Sequence, residues 1–188
     1  GNAPAAVDRP YRVYIDWVTK HDQSTDREFW RTKLAGFTAT TPLPFDQADG
    51  NADGFDQRDT VLPTSITAKL RALAVREDLS LNTIVMSAWA LLLARYSGES
   101  DIVFGATKTT RRGTIPDADS IAGLFLATIP VRISVLPDTP VHDWLNQMRA
   151  EWLSLRGHEH LPLVDIKQVS ELPSATSLFD TLVVFENY

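Results

Sequence analysis

The residues with the most versatile chemistry are four histidines, His21, His142, His158 and His160. The sequence His158-Glu-His160 could begin a metal site, but residues two apart share a face only on a strand, and no third ligand is evident. We therefore expect a solvated helix end and no metal there. The sequence has no Gly-x-Ser-x-Gly elbow, phosphate-binding glycine loop or dinucleotide fingerprint, so the residues nominate no general base.

Charged side chains offer two further candidates. Arg111 and Arg112 are adjacent in a polar segment and could bind a phosphate, although a solvated basic turn explains them more simply. Five carboxylates lack the spacing of a calcium loop, so we interpret them as solvated charge. They are Asp46, Asp49, Asp53, Asp56 and Asp59.

Composition limits the possible classes of function. A chain of 188 residues fits one domain with a sizeable core, and we set residues 1–10 aside as a linker or cloning remnant before a folded unit at 11–188. Without cysteine there are no disulfides, thiolate zinc sites or cysteine nucleophiles, which is compatible with a cytoplasmic location. A net charge of −6 favours neither nucleic-acid nor membrane partners. No apolar run reaches the ~20 residues that span a bilayer.

The elements that must position these residues centre on 101–135. Two β-branched runs flank a polar loop that contains Gly113 and Pro116, which predicts two strands presenting an exposed segment. Pro130 lies in the second run, so that strand should lie at a sheet edge or contain a bulge.

Helices are predicted around this unit. A capping box, Thr25-Asp-Arg-Glu28, predicts the start of one helix, and Ser80 and Gly98 should bound an apolar helix over Leu81–Ser97. That helix is apolar around most of its circumference, so we expect it to be the central buried helix. The other predicted helices are Tyr11–His21, Thr64–Asp78, Pro140–Leu155 and a short turn within Leu161–Val169.

Two more strands complete the predicted fold. Arg58–Leu62 should be a short strand, and Leu178–Phe185 is apolar enough to be central in a sheet. We therefore predict an α/β (α+β) sandwich with a mixed sheet of about four strands and helices packed on it.

Several segments, in order, resemble motifs of the condensation domains of nonribosomal peptide synthetases, specifically their C-terminal half, from about Tyr11 to Tyr188. The stretch from Gly123 to Arg132 is similar to the family's Gly-x-Phe-x-Asn-Thr-x-Pro-x-Arg motif. The other matching segments are Tyr11–Trp17, Phe29–Gly36, Leu92–Gly105, His158–Pro162 and Leu178–Tyr188.

The resemblance implies one lobe of a chloramphenicol-acetyltransferase-like fold, in which two lobes form a V around a tunnel. In the complete domain, peptidyl carrier proteins deliver a donor acyl-thioester and an acceptor aminoacyl-thioester on phosphopantetheine arms, and an amide forms. The family's His-His-x-x-x-Asp-Gly motif belongs to the N-terminal lobe and is absent from this sequence. The chain would thus be a fragment of a peptide-bond-forming enzyme, with no catalytic residue and no directly bound cofactor of its own.

The partners implied are the N-terminal condensation lobe, an adenylation domain and peptidyl carrier proteins. The polar segment Thr107–Ser120 would match the loop that crosses the tunnel floor to the other lobe. We expect Lys108–Asp119 to be the most mobile internal segment or to be held by a neighbouring molecule, because only Ile115 could anchor it. We also expect Arg111 and Arg112 to be exposed. The candidate tunnel-lining or floor-loop residues are Thr107, Arg111, Arg112, Gly123, Ala127, Thr128 and Arg132.

Two departures from the family's motifs leave alternatives open. Val13 stands where the family has Asp, and Ala127 stands where it has Asn, so two polar side chains are lost. One hypothesis is a lobe whose partner lobe supplies the histidine. A second is a naturally truncated, non-catalytic lobe that serves as a platform for an adenylation domain, a carrier protein or a tailoring enzyme. A third is a lobe of a related acyltransferase that uses a coenzyme A or carrier thioester.

Overall fold

The computed structural model describes residues 10–43, 55–111 and 115–186. A short 3₁₀ turn at Ala118–Ser120 lies between the first two strands. The elements in chain order are α1 (Arg12–Lys20), α2 (Ser24–Lys33), α3 (Thr64–Arg76), α4 (Leu81–Ser97), β1 (Asp101–Thr109), β2 (Leu126–Ser134), α5 (Val141–Ser154), α6 (Leu163–Val169) and β3 (Leu182–Val183).

The three strands form one mixed sheet in the order β2-β1-β3. β1 pairs antiparallel with β2 over its full length, from Asp101 opposite Ser134 to Thr109 opposite Leu126, and parallel with β3. The predicted α/β sandwich with a mixed sheet is confirmed, with three strands in the described residues. Pro130 lies in β2, whose only described partner is β1, so the predicted edge position is also confirmed.

Two strand predictions are wrong. The closing apolar segment contributes only Leu182 and Val183 to the sheet, at its edge, and Leu182 is half exposed. β1 takes the central position because its backbone bonds strands on both sides. Arg58–Leu62 is not a strand: Val61 is almost fully exposed, and no described segment pairs with it.

Helix boundaries follow local signals at some positions and not at others. The hydroxyl of Ser80 accepts a hydrogen bond from the Thr83 amide at 3.0 Å, and Gly98 ends α4 in the left-handed conformation, as predicted. The capping box predicted at Thr25 does not form. α2 begins one residue earlier, where the Ser24 amide donates to the side chain of Asp22 at 2.9 Å.

α4 is buried along one face only, which corrects the prediction of a central buried helix. Met86, Ala90 and Leu93 are buried against the sheet and α5. Val85 and Leu92, one heptad apart on another face, are 41% and 43% exposed. This second face of α4 therefore exposes apolar side chains at the surface of the lobe. Truncation of Leu92 would not open a cavity in the core.

Within the described ranges, the core has one large cluster and one small one. The large cluster joins α2, α4, α5 and α6 to both faces of β1 and to one face of β2. The small cluster contains Ile121 and Phe125, with Tyr11 and Tyr14 of the α1 region packed on it. Its position fixes the segment that leads from the 3₁₀ turn into β2. Across the three described ranges, no single helix is long and apolar enough to cross a membrane, and α3 with α4 would pass such a test only as a pair bent by 108°.

Candidate functional site

The β1–β2 ladder places the predicted site residues at two separate ends. Thr107 pairs with Thr128, and Ala127 pairs with Lys108 of β1, so these residues share one end. Arg132 pairs with Val103 near the other end. Four residues along a strand span roughly 13 Å, so Arg132 does not join the group around Thr128.

The segment that follows α5 lies beside the Thr107–Thr128 end. Two cavities, of about 640 Å³ and 430 Å³, meet there and share Leu126, Glu159 and His160 as walls. Thr107 and Lys108 line the larger cavity, whereas Ala127 and Thr128 line the smaller one. The ends of two strands thus form one side of a divided cleft, and the 158–163 segment forms the other.

Buried ionisable groups surround this cleft. Glu159 is 5% exposed and His160 is 9% exposed, and neither Oε2 of Glu159 nor Nδ1 of His160 has a hydrogen-bond partner among the described residues. Burial lowers the pKa of His160, which favours a neutral imidazole. Burial also lowers the pKa of Lys108, whose ammonium donates to the Trp152 carbonyl at 3.3 Å. The cleft therefore holds a carboxylate, an imidazole and an ammonium in a partly dehydrated setting.

A carboxylate on α2 positions the segment that carries Glu159. Oδ1 of the buried Asp26 lies 2.7 Å from Nδ1 of His158, and His21 approaches Oδ2 at 3.4 Å. The ring of Phe29 stacks on His158 at 3.9 Å, and the indole of Trp30 donates to its carbonyl at 2.9 Å. These contacts fix the backbone immediately before Glu159.

The expectation of a solvated helix end at His158-Glu-His160 is therefore wrong, because this segment is packed between α2 and the strand ends. Nowhere in the described ranges do three or more His, Cys, Asp or Glu side chains form a group that could hold a metal ion. His158 acts as a partner of Asp26, and His160 turns towards the cleft.

Arg111 is partly buried and bound to the backbone, whereas the sequence predicted a solvent-exposed side chain. Its guanidinium donates to the carbonyls of Ala118, Ile121 and Gly123, with N–O distances of 2.8 Å to Ile121 and 3.2 Å to Gly123, and lies 4.2 Å from the Phe125 ring centre. Arginine carries five donors in a planar fork, so one side chain can hold several carbonyls together. Arg111 therefore binds the loop to its own lobe.

The expectation that only Ile115 could anchor this loop is also wrong. Ala118 and Ile121 are buried in the small cluster. Arg112 lies outside the described residues, so its predicted exposure is not addressed. The mobility of Lys108–Asp119 stays a prediction. Arg111, before the undescribed residues 112–114, and Ala118, after them, both contact the rest of the lobe.

Gly123 is required by packing. A Cβ atom at this position would lie 2.1 Å from the Tyr11 ring, much closer than two carbon atoms can approach. The hydroxyl of Tyr11 also donates to the Leu124 carbonyl. Gly123 thus allows α1 to lie against the segment that enters β2.

Arg132 joins three elements at the far end of the ladder. Its guanidinium forms a forked ion pair with Asp101 at 2.7 and 3.0 Å and donates to the carbonyls of Lys33 and Ala35 at 3.1 and 2.8 Å. These two carbonyls lie at the end of α2, where helical partners run out. The hydrogen bonds to Asp101 raise the pKa of Arg132. The side chain is fully engaged in structure.

Three residues of the cleft were not selected from the sequence. Lys108 follows a run of buried residues in β1, and Trp152 lies near the end of α5. Glu159 is a charged residue that lies between two histidines and two positions before the apolar Leu161. A charged residue beside or inside an apolar segment is the signal that could have identified Lys108 and Glu159.

This chain is similar to several known proteins. The family model described as "Condensation domain" matches residues 1–188. A linear gramicidin synthase polypeptide of Brevibacillus parabrevis is 40% identical over 184 residues, which cover 96% of this chain and 2% of that protein. Chondramide synthase cmdD of Chondromyces crocatus is 38% identical over 186 residues, covering 98% of this chain and 5% of that protein. The chain thus spans only a small part of the length of these relatives.

Solved structures share the fold. The first condensation domain of the CDA synthetase superposes with a TM-score of 0.74 at 18% identity, covering 94% of this chain and 38% of that chain. The X-domain from teicoplanin biosynthesis has a TM-score of 0.64 at 22% identity, covering 91% and 39%. The sandwich therefore has the chloramphenicol-acetyltransferase-like architecture, and the chain belongs to the condensation-domain family of nonribosomal peptide synthetases.

Proposed function

We propose that this chain is the C-terminal lobe of a condensation domain that, when complete, forms an amide between a donor acyl-thioester and an acceptor aminoacyl-thioester. One observation carries the proposal: nearly all of this chain matches about two fifths of the chain of a solved condensation domain. The order of the sequence motifs, ending at Leu178–Tyr188, favours the C-terminal half. The four histidines lie outside any His-His-x-x-x-Asp-Gly motif, so the chain alone has no activity.

Within this proposal, the candidate residues have two kinds of role. Thr107, Ala127 and Thr128 line the cleft and form part of the tunnel wall. Arg111 and Gly123 hold the floor loop and the entry to β2 in shape. Arg132 pairs with Asp101 at the other end of the ladder, so it stabilises the lobe and is not part of the tunnel wall.

The partners in this proposal follow from the division of labour between lobes. The N-terminal lobe supplies the histidine motif, and peptidyl carrier proteins bring both substrates on phosphopantetheine, so this lobe binds no cofactor of its own. The exposed apolar face of α4, with Val85 and Leu92, provides a surface for an adjoining unit such as an adenylation domain.

A non-catalytic platform is the second candidate function. It is favoured by Val13 and Ala127, which replace polar residues of the family's motifs while the apolar core is kept. Val13 is half-buried on α1, and Ala127 lines the cleft. In this case, the lobe would present a docking surface to an adenylation domain, a carrier protein or a tailoring enzyme without taking part in chemistry.

The deciding experiment compares the chain alone with a fusion. An N-terminal lobe that carries the histidine motif, taken from a related condensation domain, is joined ahead of Tyr11. Both proteins are incubated with loaded donor and acceptor carrier proteins, and the dipeptidyl thioester is followed by mass spectrometry. We expect product from the fusion and none from the chain alone.

A fusion in which the motif histidine is replaced by alanine is the matched control and should be inactive. Product from the chain alone would overturn the lobe proposal. A folded fusion that binds carrier proteins but forms no product would favour the platform.

A further inference from the structure

Lys108 stands on the cleft wall with few partners for its charge. Its ammonium has three N–H donors, and the described residues offer one acceptor, the Trp152 carbonyl at 3.3 Å. The Trp152 ring, whose centre lies 4.9 Å from Nζ, adds only a weak attraction. Ala127 is the cross-strand neighbour of Lys108 and contributes a methyl group, which accepts no hydrogen bond. No carboxylate of the described residues forms an ion pair with this lysine.

Two other lysines of the chain are compensated in ways that Lys108 is not. Lys33 donates to the carboxylate of Glu151 and, at 3.4 Å, to the hydroxyl of Ser154. Lys69 is exposed on α3, where water solvates its charge. Lys108 is partly buried against a cavity, so it has neither a carboxylate partner nor full hydration. Its charged form is therefore less stable than that of these two lysines.

The surroundings of Lys108 favour the neutral amine further. Arg156 lines the same cavity and carries the same charge. Burial lowers the pKa of Lys108, the attraction of Glu159 opposes this shift, and the repulsion from Arg156 adds to it. A lysine amine becomes a nucleophile when it is desolvated or lies near another cation, because its neutral form keeps the lone pair free. At a given pH, a larger fraction of Lys108 is thus reactive than of an exposed lysine.

A small reagent can reach this amine, because Lys108 is partly exposed and its cavity measures about 640 Å³. We propose that Lys108 is a covalent modification site that takes an acyl group from an acyl-thioester. The Nζ lone pair attacks the thioester carbonyl carbon, so that a C–N bond forms and the C–S bond breaks. The sulfur leaves as a thiolate and takes up the proton that nitrogen loses, which gives an amide and a free thiol. The choice of a thioester rests on the proposed function, whereas the nucleophilic amine does not.

Acylation changes the wall of the cleft in two ways. It replaces a cation by a neutral amide, and it places the added acyl group in the larger cavity beside Thr107. Lys108 does not line the smaller cavity at Thr128, so that side keeps its space. The modification therefore narrows one part of the cleft and leaves the other unchanged.

Competitive labelling of the isolated chain tests the site. S-acetyl-N-acetylcysteamine, a small acetyl-thioester, reacts with the chain for a fixed time. The chain is then unfolded, the remaining amines are acetylated with deuterated acetic anhydride, and the ratio of light to heavy label at each lysine is measured by mass spectrometry. We expect Lys108 to react about fivefold faster than Lys69 at about pH 7.5, because more of it is neutral. Equal or slower reaction of Lys108 would overturn the proposal.

The same reaction in urea is the first control, and two variants form the second. In the unfolded chain, Lys108 and Lys69 should react at the same rate, and a persisting excess at Lys108 would show that the cavity is not the cause. Arg156→Gln should slow the reaction of Lys108 and Glu159→Gln should speed it, with Lys69 unchanged in both. An unchanged rate at Lys108 in folded Arg156→Gln would also contradict the proposal. If Glu159→Gln does not fold, the exposed position of Arg156 keeps the test available.

The two proposals can fail separately. If the two-lobe fusion forms the dipeptidyl product while Lys108 reacts no faster than Lys69, the modification site is wrong and the lobe assignment stands. If Lys108 is acetylated preferentially but the fusion forms no product, the site stands and the catalytic role of the complete domain is wrong.

Discussion

The two ends of the β1–β2 ladder use charge in opposite ways. At the Asp101–Ser134 end, Arg132 pairs with a carboxylate and with two carbonyls beyond α2, although Asp101 is 43% exposed. At the Thr109–Leu126 end, Glu159 and His160 are more deeply buried, yet each has an atom without a partner among the described residues. The more exposed charges, at the Asp101–Ser134 end, therefore have more hydrogen-bond partners than the more deeply buried ones at the Thr109–Leu126 end.

This difference bears on stability. Paired groups that join β1, β2 and α2 stabilise the lobe, whereas buried polar groups without partners lower the free energy of unfolding. The stretch from Gly123 to Arg132 reaches both ends of the ladder, so membership of one motif does not give its residues one role. Changes at the two ends should therefore affect different measurements.

The largest effect is expected at the paired end. Arg132→Met should lower the free energy of unfolding by about 2–3 kcal/mol, because it removes the forked pair with Asp101 and leaves the carbonyls of Lys33 and Ala35 without donors. The half-exposed position of Asp101 keeps the effect below that of a fully buried pair. Urea denaturation with an unchanged slope is the measurement.

Arg12→Met is the matched control, since Arg12 also pairs with a carboxylate, Asp16, at 3.2 Å, but both side chains are largely exposed. Its effect should stay under about 0.5 kcal/mol. Similar midpoints for the two variants would mean that Arg132 does not hold the elements together and that the two ends of the ladder do not differ.

An intermediate effect is expected at Arg111. Arg111→Lys keeps the charge but cannot reach three carbonyls and the Phe125 face at once. The amides of Ile121 and Thr110, which are bonded within this region, should exchange about tenfold faster, the equivalent of about 1.4 kcal/mol of local opening. Exchange at Phe104, in the centre of β1, should not change. Equal acceleration at both places would indicate global destabilisation instead.

Local sequence patterns were sufficient for elements whose signals lie within the element. β1 is a continuous apolar run, and Ser80 and Gly98 mark the ends of α4. The mixed α/β architecture follows from the alternation of such elements. The prediction that α4 is buried all round was wrong because its exposed face is also apolar. A helix that is apolar all round has the same sequence pattern whether one face or all of it is buried.

The site could not be derived in this way because its contacts are distant in sequence. His158 meets Asp26 across 132 positions, so its burial has no local signal. Arg111 appeared as one of two exposed basic residues, but the carbonyls that bind it are set by how the chain turns before β2. Leu182 and Val183 form an edge because β1 occupies the centre, and strand order is not encoded in the composition of a single strand.

The smallest effect is a pH dependence at the unpaired end. Burial lowers the pKa of His160 below its ordinary value of 6.5, so the unfolded chain takes up this proton at a higher pH than the folded lobe. The stability that depends on neutral His160 is therefore complete above pH 6.5 and is lost as the pH falls from 6.5 towards the folded pKa. Urea midpoints at about pH 7.5 and 5.5 should differ less in His160→Gln than in the unaltered chain. If His160→Gln kept the original difference, His160 would not be the buried neutral group that the contrast between the two ends requires.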